Sequence, residues 1–426
     1  MSITDEAARA AAEEYWNGKG DHISVWLDCD SGHDDAFALL LASKIPKVHL
    51  LGVSTVHGNA SLANTTRNTL SILEALGERE IAVFPGAVKP FCRDAVHAEA
   101  IHGDTGLDGT TILPEPVRTV PQMTGDDSAL KAMYNAICNT PPGTTWVVST
   151  GALTNIGLLF AVYPSLIKHI AGLSIMGGVV GNGFTDAPLG RLQDRPDEQA
   201  KLEESQGLNK NISKEQSTYH GWEMGDNVTK QGFGNTTPFA EFNIYCDPEA
   251  AASIFSQPSL AAKTTLISLD ITHQVLATND VTRMLHYGHS AQPASENKDE
   301  KPSGVRHLFH EILTYFTSTY AREFGMTTGP PLHDPLAVLA ACCPTSFDDK
   351  DGERFGVYIV KEGDSNPESG ERDASKAGQC GRTMMKLLSK GEQGVRIPRA
   401  CQADKFWHLV DLSLREAEKD SPVMVG

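Results

Sequence analysis

No run of about 18 apolar residues occurs anywhere in this chain, so the sequence offers no membrane-spanning helix. Cys-x-x-Cys pairs are missing as well. The eight cysteines are spread from Cys29 to Cys401, several in apolar surroundings, and read as reduced core thiols. Basic residues are the minority, 36 against 54 acidic ones, for a formal charge of −18. That balance repels phosphate backbones and anionic membrane surfaces, which excludes nucleic acid and membrane as partners and leaves small neutral or cation-assisted substrates. The opening MSITDEAARAAAEEYW is charged throughout and lacks a hydrophobic signal core, so a cytoplasmic protein is expected. No internal repeat is found. What is present is an ordinary globular composition, 40% hydrophobic over 426 residues, enough for a substantial core.

The chain is organised around residues 23–42, ISVWLDCDSGHDDAFALLLA. Ile23, Val25 and Leu27 suit a buried strand, and the residues from Ala36 onward favour a helix. Asp28, Asp30, Asp34 and Asp35 fall at the junction, with Gly32 where the backbone must turn. Carboxylates crowded beside a low-dielectric core raise one another's pKa unless a cation or strong donors neutralise them. With only hard oxygen ligands available, the ion expected is Ca²⁺ or Mg²⁺ and not Zn²⁺. An acidic helix N-terminus would account for Asp34 and Asp35. It leaves Asp28 and Asp30, at the end of an apolar strand, unexplained. An EF-hand is excluded, because the places for its fifth, sixth and twelfth loop positions, counted from Asp28, hold Gly32, His33 and Leu39.

Residues 1–20 read as an N-terminal arm, either a short amphipathic helix or frayed. Strands are expected at 48–56, 81–84, 145–149, 173–176 and 265–269, alternating with helical stretches such as 62–76. This β-α-β order implies an α/β fold, a single domain over about 21–420 with a mostly parallel central sheet flanked by helices and a Rossmann-like core. Ligand sites in such sheets lie outside the carboxyl ends of the strands. Residues 92–125, containing IHGDTGLDG, read as a long loop at the mouth of the site. The segment 184–231 is rich in Asp, Glu, Lys, Gln and Asn, shows no apolar face and is expected to be a polar surface insertion. Residues 307–324 and 330–341 are helical, 356–360 is a strand, and 382–388 is expected to pair with 394–397. Ala403, Phe406, Val410 and Leu414 recur at helical spacing, so the described pattern closes with an amphipathic helix.

Asp-x-Asp-x-Gly-x-Asp-Asp-Ala opening a helix resembles the inosine-uridine-preferring nucleoside hydrolases, and the resemblance touches segments from about residue 23 to 340. It implies that Asp30, Asp35, Asp334 and the backbone carbonyl of Thr150 hold Ca²⁺, and that Asp34 is the general base. Asn59, Asn235, Glu241 and Asn243 would grip the sugar hydroxyls, with Asn235 preferred over Asn182 for its distance to Glu241. Met176 would line the ribose pocket and His102 would belong to a loop closing over substrate. Phe242 would pack against the base, and His333 is a candidate proton donor to the leaving base, with Tyr320 facing the base pocket. Asp34, His333 and Asp334 count among the substrate contacts as well. The working unit implied is a homodimer or homotetramer acting on a small ribonucleoside.

The residue types suit that chemistry. An N-glycosidic bond breaks through an oxocarbenium-like sugar, so the site needs negative charge around the ring and an activated water on the opposite face. Glu241 and Asn243, two apart, share a face if their segment is extended. His333-Asp334-Pro335 also suits a helix start, with Asp334 as cap. Two other readings stand beside the hydrolase. One is a Mg²⁺-dependent phosphatase of haloacid-dehalogenase type, with Asp28 as nucleophile and Asp30 as acid, although Gly32 stands where that family has Thr or Val. The other is a nucleoside- or metal-binding protein without turnover.

Overall fold

The central strand is β1 (Ile23–Cys29), whose last five residues are all buried, as its apolar composition demands. The computed structural model describes residues 5–20, 22–120, 128–192, 216–219, 222–225, 232–288, 301–363 and 378–424. Around β1 lie β2 (Val48–Thr55), β3 (Val83–Pro85), β4 (Thr145–Ser149) and β5 (Gly172–Met176). The strands β6 (Gln216–Tyr219) and β7 (Trp222–Gly225) form a separate antiparallel pair, and β8 (Thr264–Ile267) returns to the main sheet. That sheet has the order β3-β2-β1-β4-β5-β8, every neighbouring pair parallel. The chain winds outward on one side of β1, then crosses to β4 and winds outward on the other. The crevice at that reversal, beyond the carboxyl ends of β1 and β4, is where such sheets bind ligands. Asp28 and Cys29 end β1, and Thr150 directly follows β4.

Two helices cover the sheet from within the core. Asp35–Lys44 is buried at nine of its ten positions, and Asp334–Cys342 is buried from Asp334 to Ala341. Neither has a polar face because neither meets solvent. They pack on each other, which sets their N-termini, and hence the Asp34-Asp35 and Asp334 side chains, side by side.

Of the two readings of the N-terminal arm, the helical one is observed over 6–17. The helix, Glu6–Asn17, capped by Asp5, buries Ala12 and Trp16 and packs on the C-terminal helix Ala403–Ala417. Several expectations need correction. Residues 383–387 form β11 (Thr383–Leu387) and pair antiparallel with β10 (Phe355–Ile359), not with 394–397. Val395 instead bridges Phe355, and Arg396 bridges Thr265. The short strands β9 (Phe347–Asp348) and β12 (Ala400–Cys401) pair separately. The 92–125 loop contains the short helix Glu99–His102. Within the expected polar insertion, Phe184, Leu189 and Leu192 are buried, so residues 184–192 do carry an apolar face. Apart from β6 and β7, the rest of that segment lies outside the described residues. All eight cysteines are free thiols, but Cys92 and Cys138 are exposed and not core residues. No helix among the described residues is long and apolar enough to cross a membrane.

Candidate active site

Three carboxylates converge at the crevice. Asp34, Asp35 and Asp334 are all buried and offer oxygens within 4.8 Å of one another, a group able to hold a metal ion. Asp34 occupies the cap position of helix Asp35–Lys44, and His333 that of helix Asp334–Cys342. Neither side chain makes a capping bond, so Asp334 is the first helical residue and not the expected cap. Both helix N-termini therefore aim their positive dipole ends at the cluster. That assistance is incomplete. Burial, and then the Asp35 charge, push the Asp34 carboxyl up to about 7. Burial and the neighbouring aspartates hold Asp334 and Asp30 well above the carboxylate range.

Asp30 sits beside this trio. Its Oδ2 accepts the Asn59 backbone N–H at 2.7 Å, while its buried Oδ1 has no partner among the described residues. Glycines make room for it: a Cβ on Gly58 would lie 1.9 Å from Oδ2, and one on Gly151 2.7 Å from Oδ1. Asp35 accepts from Gly32 N at 2.8 Å, Thr150 Oγ1 at 2.8 Å and Asn59 Nδ2 at 3.2 Å. An orphaned buried carboxylate oxygen beside three crowded carboxylates, with hydroxyl and carbonyl oxygens for company, fits a hard divalent cation. Asp28 is different. It accepts from the Ser54 hydroxyl and from Asn155 Nδ2 at 2.7 Å, bracing β1 from behind. It does not line the cavity over the cluster, and its bonds to Ser54 and Asn155 hold the carboxylate that the phosphatase reading needs as nucleophile.

A cavity of about 310 Å³ lies over the cluster, within the range of small-molecule sites. Asp34, Asp334, Thr150 and Met176 form its floor, and Asn59, Asn235, Glu241 and Asn243 its polar wall. Glu241 and Asn243 are not on an extended segment: Glu241 caps the helix Phe242–Cys246. Its carboxylate accepts from Asn243 N at 2.8 Å, Ile244 N at 3.1 Å and Gly178 N at 2.7 Å, joining that helix to the turn after β5. Asn243 Nδ2 donates to the Thr150 carbonyl at 2.7 Å, and Asn235 Oδ1 accepts Phe242 N at 3.0 Å.

The rest of the lining includes the aromatic rings of Phe242, Phe316, Tyr320 and Phe324. Here His333 is clamped at both nitrogens, by Tyr320 Oη at 2.6 Å from Nε2 and by Thr272 Oγ1 at 2.7 Å from Nδ1. Burial keeps its imidazole neutral. His102, also buried, lines the cavity as well. Of the residues expected at the site, only Asp30 and Asp35 stand behind the cavity surface instead of on it. Sequence reasoning missed Phe316 and Phe324, which fall on the helix Gly304–Phe324 at the spacing of an ordinary buried stripe, and Thr272, for which the sequence carries no signal.

An α/β protein whose cavity at its sheet's reversal point is lined by carboxylates, by amide and acid side chains and by aromatic rings is built to take a sugar joined to a flat ring. The inosine-uridine preferring nucleoside hydrolase family matches residues 25–408, and the chain belongs to that family. It is therefore an N-glycosyl hydrolase. It is 35% identical over 320 residues to a uridine nucleosidase of Saccharomyces cerevisiae, covering 74% of this chain and 75% of that one. A probable ribonucleoside hydrolase of Dictyostelium discoideum is 30% identical over 398 residues, 91% of this chain and 93% of the relative. Among solved structures, a purine-preferring ribonucleoside hydrolase from Gardnerella vaginalis shares the fold with TM-score 0.66 and 21% identity, over 93% of this chain and 99% of that one.

Proposed function

We propose that the enzyme hydrolyses the N-glycosidic bond of purine or pyrimidine ribonucleosides to free base and ribose, using Ca²⁺ held by Asp30, Asp35, Asp334 and the Thr150 carbonyl. The convergence of three buried carboxylates beneath a cavity of nucleoside size carries this reading. When bound, the cation supplies Lewis-acid polarisation of water and a grip on the ribose diol. Asp34, with its proton affinity raised toward neutrality by burial, takes the proton from the attacking water. Asn59, Asn235, Glu241 and Asn243 pair with the sugar hydroxyls, and the Asp cluster stabilises the positive charge that develops on the ring. The aromatic rings stack the base, and His333 with Tyr320 holds the proton nearest the departing nitrogen.

The relatives named for uridine and for ribonucleosides make uridine and inosine the first substrates to test. We expect chelator-sensitive release of ribose from both. 2′-Deoxyuridine should be rejected by as much as ~10⁴-fold, because it leaves the polar wall unpaired. Phosphate release from a phosphate ester would favour the phosphatase reading, and tight nucleoside binding without turnover the binding-protein reading.

A further inference from the structure

His33 lies inside the aspartate segment, yet none of the roles above uses it. Its buried ring stacks on Tyr315, with centroids 4.9 Å apart and planes 7° from parallel, and on Phe316 at 5.7 Å and 6°. One ring nitrogen, Nε2, lies 2.9 Å from the Asp108 carbonyl. A carbonyl only accepts, so the proton is on Nε2. With that one proton on the ring, Nδ1 is an acceptor, and it meets His102 Nδ1 at 3.1 Å. His102 must donate there. The His33 backbone N–H approaches the same His102 nitrogen at 3.4 Å, but the shorter ring-to-ring bond sets the tautomer. With Nδ1 engaged, Nε2 is the ring nitrogen His102 has left for a ligand in the cavity it lines.

The same two segments are tied a second time. Asn68 Nδ2 donates to the Ser31 carbonyl at 3.1 Å and to the Thr105 carbonyl at 3.0 Å. Gly32 permits the close approach, since a Cβ there would lie 2.5 Å from His102 Nδ1. Residues 31–33 and 102–108 are thus joined, and His33 bonds both ends of the loop segment.

We infer that His33 is a positioning residue for nucleoside recognition: by bonding His102 and the Asp108 carbonyl together, it seats His102 with Nε2 as the acceptor for a hydroxyl or N–H of the bound nucleoside. This rests on the nucleoside reading above. It assigns His33 no contact with substrate and no part in holding the cation.

The test is a double-mutant cycle on the full-length enzyme with uridine and inosine. His33→Phe keeps an aromatic ring against Tyr315 and Phe316 and removes both bonds. We expect KM to rise about tenfold with kcat changed less than about twofold, the effect of losing neutral hydrogen bonds. Calorimetric Ca²⁺ affinity should stay within about twofold of wild type, since no ligand oxygen is altered. In a His102→Ala background, His33→Phe should add less than about twofold, because His33 acts through His102. His33→Asn, whose amide can still reach His102, should recover part of the loss in KM. An unchanged KM in His33→Phe, or effects that multiply in the double variant, would overturn the assignment. So would lost Ca²⁺ binding in His33→Phe. If wild type itself releases no ribose from any nucleoside, the hydrolase reading fails first, and that outcome is told apart by its appearing without any substitution.

Discussion

Asp34 belongs to the same oxygen cluster as Asp35 and Asp334, so its two possible duties, base and ligand, share one carboxylate. They separate by substitution. Asp34→Asn keeps an oxygen but cannot accept a proton at neutral pH, and we expect kcat to fall about 10²–10⁴-fold. Its Ca²⁺ affinity should fall less than that of Asp334→Asn, as calorimetry on the two variants would read. A larger loss of cation binding in Asp34→Asn would make it a ligand first and deny it the role of base. Asp28 supplies the contrast within the same strand end. Its bonds to Ser54 and Asn155 make it a brace, so one motif holds carboxylates of unlike function.

Among elements, the short helix Phe242–Cys246 depends on a single side chain. Glu241 satisfies two of its first N–H groups and the Gly178 N–H of the turn after β5, all buried. Glu241→Ala would leave those donors unpaired, at a cost of about 1–3 kcal/mol each before relaxation. We expect a lower Tm together with a higher KM, because the helix also presents Asn243 and Phe242 to the cavity. A variant that lost nucleoside affinity at unchanged Tm would show that Glu241 serves the ligand and not the helix. The turn after β4 makes a similar demand on Gly151. Gly151→Ala would press a methyl group onto Asp30 Oδ1, and Ca²⁺ affinity should drop while the sheet stays intact by circular dichroism.

For the molecule as a whole, the buried acids tie stability to pH. Burial raises the folded-state pKa of Asp34 and of Asp28 to about 7, against about 4 for an exposed aspartate. Between those values the folded protein binds more protons than the unfolded chain. Their contribution is therefore fully present below about pH 4 and is lost as pH rises through 7. In chelator we expect Tm to fall from pH 5 to pH 8. Saturating Ca²⁺ should raise Tm more at pH 8 than at pH 5, because protons and the cation compete for the oxygens of Asp30 and Asp334, whose carboxyls burial and the neighbouring aspartates also hold high. A calcium effect that is equal at both values, measured by calorimetry, would sever the cation from the aspartates.

Local pattern carried much of this in advance. The apolar run before Asp28, the junction at Gly32, the strand at 145–149 and the alternation of strands with helices are short-range features, written in hydrophobic period and turn chemistry. The polar wall was legible too, through residue types matched to a family motif. Other features were decided only in three dimensions. Asp334 joins Asp34 because two buried helices pack with their N-termini together, some 300 residues apart in the chain. Glu241 became a helix cap where an extended segment was expected, and β11 chose β10 over 394–397. His33 met His102 across 69 positions. The cap bonds of Glu241 are local, but its bond to Gly178 spans 63 positions, and in the other cases too the partner lies beyond the reach of any local period. Which groups meet is set by sheet order and by where buried polar atoms find donors, and both exist only once the core has formed.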